Sequence, residues 1–182
     1  MKRDIEASTK VRAPIERAHD VIIADPGCVV VERCSAEERR ERRFHTSLGV
    51  EVGAGGGLHQ EVVIELGPVR SSDDAVAVPV HWHAAGRDRL FPTFEGELEA
   101  SRDDPGSCLT LRGTYTVPLG PLGRFGDGIV GRRLARQSLS AFLEQAARRL
   151  DTEVDRRMDS VSWHPAPYPV ALRELGSENY IG

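Results

Sequence analysis

The feature that most constrains the fold is a long amphipathic segment near the C-terminal end of the sequence. From Asp127 onward, more than thirty residues follow without a proline. Within them apolar residues recur at spacings of three and four, which places them on one face of a helix. A helix of this length gains most of its stability from packing that face against other elements. The rest of the chain must therefore supply an apolar surface for Ala135, Leu139, Phe142, Leu143, Ala146 and Leu150.

Much of the sequence before this segment alternates between apolar and polar residues. A period of two places successive side chains on opposite faces of a β-strand. Five segments show an apolar face and a polar or charged face, and they cover 44–52, 60–66, 76–82, 94–100 and 109–117. Such strands form antiparallel sheets with one face exposed to water. We therefore expect an α+β fold in which an antiparallel β-sheet wraps around the long C-terminal α-helix.

The N-terminal part predicts one further strand and a short helix. Residues Ile5 to Val11 alternate as a strand, and Pro14 then favours the start of a helix over 15–25. The segment 28–43 contains a run of charges, and its secondary structure is left open. The expected buried face of the short helix consists of Ile15, Ala18, Val21 and Ile22.

The C-terminal residues differ in composition from the rest of the chain. Residues 159–182 contain three prolines within a short distance, at 165, 167 and 169. Proline-rich segments favour extended conformations without a packed core of their own. We therefore expect one domain over 1–158 and an extended tail over 159–182.

Composition and charge exclude several classes of function. The chain has 182 residues and a formal net charge of -4, which argues against nucleic acid or an anionic membrane as a partner. Its three cysteines show no C-x-x-C spacing, so neither a disulfide framework nor a thiolate metal site is suggested. No segment is apolar enough for a signal peptide or a membrane span. We expect a cytoplasmic protein with no stable membrane insertion.

A glycine pattern just before the long helix requires a separate interpretation. Gly126, Gly128 and Gly131 satisfy the spacing G-x-G-x-x-G of dinucleotide-binding loops. That pattern has meaning only where a strand, a turn, a helix and a second parallel strand follow each other. Here a charged run and a proline-rich tail follow the helix. We therefore expect no nucleotide and no other cofactor, and interpret the glycines as a flexible start of the helix.

Two short motifs accompany this order of elements. The first is A-P-I-E-R-A over 13–18, and the second is Y-T-V-P-L-G-P-L-G-R-F-G-D over 115–127. Together with strand, short helix, antiparallel meander and long helix, they resemble the START-like helix-grip superfamily, also called SRPBCC, over roughly Ile5 to Arg157. This group includes polyketide cyclases, lipid-transfer domains and the Bet v 1 allergens. The resemblance implies a cavity between sheet and helix for lipids, sterols, polyketides or isoprenoids, in enzymes or in pure binders.

The inward faces of the strands predict which residues line such a cavity. Polar groups are few, and we expect no inward Asp, Glu, His, Lys or Arg on any strand. General acid–base catalysis needs a group with a tuned pKa near the reacting atom, so the strands favour binding of a small hydrophobic ligand. The expected lining consists of Leu48, Val62, Val80, Trp82, Phe94, Leu111, Tyr115 and Phe142, with Thr46 and Gln60 as further polar members.

Two alternatives to simple binding remain open. In a polyketide cyclase or dehydratase-like enzyme, Tyr115 would polarise a carbonyl while the pocket shape folds the substrate. In an interaction module, the cavity would be filled, and the outer face of the sheet or the tail from Trp163 to Tyr168 would contact a partner. Homodimerisation is a further alternative.

Three histidines on the polar faces form the candidate metal site. His59 lies near the start of one strand, and His81 and His83 lie near the end of the next. A regular hairpin register would make them neighbours, and three histidines can bind zinc. Exposed histidines are also common on the wet face of a sheet, so the principal expectation is that no metal is bound.

Overall fold

The computed structural model describes residues 2–51, 57–86, 93–116 and 128–162, without the side chains of 49–51, 57–60, 128–135 and 161–162. Strand β1 (Lys2–Val11) comes first and is followed by three short helices, α1 (Ile15–Ala24), α2 (Gly27–Val30) and α3 (Ala36–Glu41). The next strands are β2 (Arg43–Glu51), β3 (Gly57–Leu66), β4 (Arg70–Ser71) and β5 (Ala75–Ala84). The described part ends with β6 (Thr93–Asp103), β7 (Gly106–Thr116) and helix α4 (Gly128–Ser162).

The strands form one antiparallel sheet. Its order is β1-β7-β6-β5-β3-β2, and the short strand β4 pairs with β5 beside this path. The first strand therefore pairs with the last one, while the other neighbours along the path follow each other in the chain apart from β4. This arrangement confirms the expected α+β fold with an antiparallel sheet, and it adds β4 in a segment whose sequence is typical of a turn.

Helix α4 lies across the concave face of the sheet. It makes close backbone approaches to both edge strands, β1 and β2, as well as to β7, α1 and α2. A helix that reaches both edges of one sheet requires the sheet to curve around it. The central strands β5 and β6 approach α4 mainly through their side chains.

Two of the helices after β1 follow signals in their own sequence, namely the apolar spacing of α1 and the capping residues of α3. Helix α1 buries the four predicted residues Ile15, Ala18, Val21 and Ile22. Helix α3 begins with a capping box, in which Ser35 Oγ accepts from the Glu38 N–H at 3.1 Å and Glu38 Oε2 accepts from the Ser35 N–H at 2.9 Å. The S-x-x-E signature of this motif is visible in the sequence. It marks the start of α3 within the segment 28–43, whose structure the charge pattern alone leaves open.

Polar contacts fix the C-terminal half of α4 to the other helices. Asp151 Oδ1 accepts from the Ala13 backbone N–H at 3.0 Å, at the junction between β1 and α1. Arg149 Nη1 donates to the Val30 carbonyl at 2.8 Å, at the end of α2. On the strand side of the same junction, the buried Ser107 hydroxyl donates to the Ala13 carbonyl at 2.8 Å. The position of α4 is therefore set by hydrogen bonds as well as by apolar packing.

Helix α4 is longer than the apolar spacing alone indicated. Its apolar face ends at Leu150 and Val154, but the helix continues to Ser162. It thus includes 159–162, the first residues of the predicted tail, while 163–182 lie outside the described residues and the division into domain and tail stays a prediction. Among the helices that the structure describes, none is long and apolar enough to cross a membrane.

Candidate functional site

One row of paired residues crosses the inner face of the sheet from edge to edge. The register connects neighbouring strands in turn, beginning on β2 and ending on β1. Residues directly opposite each other point to the same face of a sheet, so this row forms a continuous line facing α4. In order, its members are Phe44, Ile64, Trp82, Phe94, Tyr115 and Arg3. The row is apolar over most of its length and becomes polar at its β7 and β1 end.

An aromatic cluster occupies the centre of the row. The rings of Trp82 and Phe94 are stacked, with centroids 4.3 Å apart and planes inclined by 20°. Phe142 of α4 lies over Trp82, with a centroid distance of 5.4 Å and a tilt of 46°. Each of the three side chains is only 1% exposed. The sheet and the long helix therefore meet at these three rings, in one closely packed group.

A pair of glycines forms the floor beneath Phe94. Gly96 and Gly113 lie opposite each other on β6 and β7. A Cβ atom on Gly96 would come within 2.6 Å of Phe94 Cζ and would overlap the Arg112 carbonyl oxygen. A Cβ on Gly113 would come within 2.8 Å of the same Phe94 atom. The absence of side chains at both positions thus lets the Phe94 ring lie flat along the sheet under Trp82.

The indole N–H of Trp82 is the unusual polar group of the cluster. Its Nε1 atom is buried and has no hydrogen-bond partner among the residues that the structure describes. Leaving a buried donor unsatisfied costs about 1–3 kcal/mol of stability. Such groups are rare in folded proteins, and each calls for an explanation. The centre of the site therefore holds an unused hydrogen-bond donor inside an apolar environment.

The other predicted lining residues lie on the same inner face. Gln60 is part of β3 opposite Leu48, but its side chain is outside the described part. Thr46 shares the inner face and is half-buried. The buried members are Leu48, Val62, Val80, Trp82, Phe94, Leu111, Tyr115 and Phe142. Their common location agrees with the predicted wall, while their role in binding and the catalytic role of Tyr115 stay predictions.

Arg3 contradicts the expectation that no strand presents an ionisable side chain on this face. The predicted strand began at Ile5, but β1 begins at Lys2, so its alternation includes one more inward position. Arg3 pairs with Tyr115 and is half-buried. Arg102 has the same parity on β6, but it is exposed at the other end, where it pairs with Glu16 and Asp74. Extending the alternation back to the start of the chain would have revealed Arg3.

The register contradicts the expected neighbourhood of the three histidines. His81 lies opposite Glu65, and His83 lies opposite Val63. His59 is four residues from Val63, or about 13 Å along β3 at the usual strand rise, and it lies beyond the segment that pairs with β5. No group of three or more potential ligands could hold a metal among the residues that the structure describes.

The polar face carries ion pairs in place of that site. Glu65 lies between Arg43 and His81, with a distance of 3.6 Å from Oε1 to Arg43 Nε and of 3.4 Å from Oε2 to His81 Nδ1. His81 and His83 have ring centroids 5.7 Å apart. All three members of the Glu65 group are substantially exposed. Exposed pairs of this kind contribute little to stability, typically about 0–1 kcal/mol.

The cysteines offer no reactive group near the aromatic cluster. Cys28 lies in α2, and burial together with the charges of Asp25 and Glu153 raises the pKa of its thiol to about 12. A thiol with that pKa stays protonated at neutral pH and is a poor nucleophile. The three cysteines are free. Nucleophilic catalysis through Cys28 is therefore not supported.

Several sequence predictions fall outside the described residues. They comprise Gly126 of the glycine pattern, the side chain of His59, and the tail with Trp163 and Tyr168. Gly128 and Gly131 belong to α4, whose first residue is Gly128. The interpretations of Gly126, of the His59 side chain and of the tail therefore stay predictions.

The similarity of this chain to known proteins lies in the structure and not in a matching sequence family. No family model matches the sequence, and no curated protein matches it either. Several solved structures are similar to this chain at low sequence identity. One is the protein TTHA0849 from Thermus thermophilus, at 16% identity and a TM-score of 0.48, covering 83% of this chain and 99% of that one. The order of elements, from β1 and the short helices through the antiparallel sheet to α4, agrees with the helix-grip fold predicted from the sequence.

Two further solved structures are similar to this chain at the same level of identity. The Zhui aromatase/cyclase from Streptomyces sp. R1128 has 16% identity and a TM-score of 0.46, covering 87% of this chain and 96% of its own. A START superfamily protein from Mycobacterium smegmatis has 13% identity and a TM-score of 0.47, covering 85% and 98%. With identities this low, the likeness concerns the fold alone. The function has to be argued from the site of this chain.

Proposed function

We propose that this protein binds a small, mainly hydrophobic molecule between the inner face of the sheet and α4. The observation that supports the proposal is the polarity of the row that crosses this face. Four apolar members, from Phe44 to Phe94, are followed by Tyr115 and then by Arg3. An apolar molecule with one polar end matches this order, because its body replaces water contacts by apolar ones and its polar end meets Tyr115 and Arg3.

The geometry of the two layers supports the same location. Helix α4 approaches the edge strands β1 and β2 closely, while β5 and β6 face it through side chains. The aromatic rings at the centre are closed over each other in the structure. A ligand therefore enters by displacing rings, and Phe142 is the ring that belongs to the helix and not to the sheet. The lipid, isoprenoid or polyketide nature of the molecule is part of this proposal.

The test compares two bulky substitutions on one strand. Ala84 lies at the end of β5 on the inner parity and packs against the core, whereas Ala77 lies on the polar face of the same strand. The purified full-length chain is first analysed by native mass spectrometry, and any molecule carried through is extracted and identified. The protein is then titrated with anilinonaphthalene sulfonate, an apolar fluorophore with one anionic end.

We expect Ala84→Phe to weaken uptake of the fluorophore at least severalfold, because the added ring occupies the space beside Trp82. Ala77→Phe adds the same ring on the other face, so it should bind as the wild type does. Circular dichroism of both variants reports whether they fold. Equal binding by the two variants, or no uptake by wild-type protein that also carries no ligand, would rule out the proposed site.

A further inference from the structure

We propose that the ligand carries a neutral oxygen acceptor, such as a carbonyl, that receives the indole N–H of Trp82. This inference rests on the proposed function and specifies the chemistry of the molecule at one point. The starting observation is that Trp82 Nε1 is buried and finds no hydrogen-bond partner in the described part of the chain. An indole nitrogen is a donor only, so the missing partner has to be an acceptor.

The surroundings of the indole show why the acceptor comes from a ligand. Trp82 stacks on Phe94 and lies under Phe142, and its neighbours opposite on β3 and two residues back on β5 are Ile64 and Val80. None of these four side chains can accept a hydrogen bond. The backbone carbonyls of the central strands take part in the sheet ladder. An acceptor that belongs to a bound molecule would satisfy the indole N–H without breaking a backbone hydrogen bond of the sheet and without a polar side chain in the core.

The charge distribution along the row indicates that the acceptor is neutral. Arg3 lies on β1, and Trp82 lies on β5, with β7 and β6 between them. Three strand spacings separate the two residues, or about 14 Å across the sheet. Among the described residues, the members of the row nearest to Trp82 are all uncharged, so a carboxylate beside Trp82 would be buried without a counter-charge from them, which is strongly unfavourable. A carbonyl oxygen accepts the same hydrogen bond without that penalty.

The experiment uses two probes that differ only at the acceptor. Naphthyl methyl ketone carries the carbonyl, and isopropenylnaphthalene has the same shape with a methylene group in place of the oxygen. Both are titrated into wild-type protein, Trp82→Phe and Trp163→Phe. Trp82→Phe keeps an aromatic ring but removes the N–H. Trp163→Phe is the same change at the other tryptophan of the chain, which lies outside the described residues.

We expect Trp82→Phe to bind the ketone about tenfold more weakly than wild type does, since a lost hydrogen bond to a buried donor has an effect of that size. Binding of isopropenylnaphthalene should change by less than about twofold, because no hydrogen bond is lost with it. Trp163→Phe should keep the preference of the wild type. Comparing the two probes in one variant cancels any general loosening of the fold.

A second measurement uses protein that keeps Trp82, so its result does not depend on whether Trp82→Phe folds. In heteronuclear NMR of tryptophan-labelled protein, the chain shows two indole N–H resonances, and Trp163→Phe identifies that of Trp82. The ketone should move this resonance downfield, and isopropenylnaphthalene should not.

The outcomes separate the two proposals. If both probes bind with equal affinity, Trp82→Phe leaves their ratio unchanged, and the indole resonance responds to both alike, the acceptor inference is wrong while the binding site remains. If neither probe binds to any form of the protein, the proposed function fails, and the inference fails with it.

Discussion

Gly96 offers a sharp test of how the site is built into the sheet. A Cβ at this position would come within 2.7 Å of Gly113 Cα and within 2.6 Å of Phe94 Cζ, and would overlap the Arg112 carbonyl oxygen. Two of these three atoms belong to the backbone of the adjacent strand and cannot rotate away. We therefore predict that Gly96→Ala forces β6 and β7 apart and displaces the Phe94 ring.

The expected size of the effect follows from two opposing terms. Overpacking of a core by a methyl group costs about 1–3 kcal/mol, and contact with backbone places this case at the upper end. Replacing glycine also restricts the unfolded chain, which offsets about 0.4–1 kcal/mol. The net loss is about 2 kcal/mol, which lowers the melting temperature by about 4–8 °C in a chain of this length.

Thermal unfolding followed by circular dichroism measures this loss, and near-ultraviolet spectra report the packing of Trp82. Ser101→Thr is the matched control, because it adds one methyl group to the polar face of the same strand. Its stability should stay within about 0.5 kcal/mol of wild type. If Gly96→Ala melts at the wild-type temperature with an unchanged tryptophan spectrum, the close approach of Phe94 to the glycine floor is not what requires glycine there.

Three further predictions concern the supports of the site. Asp151→Ala removes the acceptor of a part-buried backbone N–H and should lower the free energy of unfolding by about 1–3 kcal/mol in urea titrations, whereas Asp155→Ala, at a side chain 64% exposed against 14%, should change it little. Cys28, with its thiol pKa raised to about 12 by burial, should react with iodoacetamide at neutral pH only after unfolding, as peptide mass spectrometry would show. Backbone hydrogen bonds from Ser35 and His45 lower the pKa of Glu38, so its contribution is present at neutral pH and is lost as the pH falls through the folded pKa. The stability difference between wild type and Glu38→Gln should therefore shrink on acidification, and a constant difference would contradict this.

The alternation of the strands was the most informative signal in the sequence. A period of two identifies the inward face without any knowledge of tertiary structure, because side chains alternate strictly along a strand. The same reasoning works for α1, whose buried face follows the helical period. Residues such as Val80 and Leu111 were placed correctly for this reason. Burial of one face is a property of each element by itself.

The register between strands was harder to predict from the sequence. The predicted grouping of His59 with His81 and His83 depended on the register of β3 against β5, and the segment between them includes β4. A shift along the strand leaves the faces intact but changes which residues are opposite each other. The contact between Trp82 and Phe142 likewise depends on where α4 lies along the sheet. Local patterns contain no information about such offsets.

Two parts of α4 have different contacts with the rest of the molecule. In its C-terminal half, Arg149 and Asp151 hold it by hydrogen bonds to the backbone of other elements. At Phe142, about two turns earlier, the described contacts with the sheet are between aromatic rings. Ring contacts are weakly directional, so they can be replaced by a ligand at little cost, whereas the hydrogen bonds cannot.

We therefore expect stability and ligand selectivity to depend on different residues. Loss of the Asp151 anchor lowers stability throughout the domain but leaves the Trp82 donor in place, so the preference for the ketone should survive in the folded fraction. Removal of the Trp82 N–H should have the opposite effect on both properties. It eliminates an unsatisfied buried donor, which favours stability, and it removes the group that would select the ketone. Trp82→Phe can be as stable as wild type, or more so, while losing the preference. Under the acceptor proposal, the ligand carbonyl would explain why an indole donor is kept in an apolar core despite its cost.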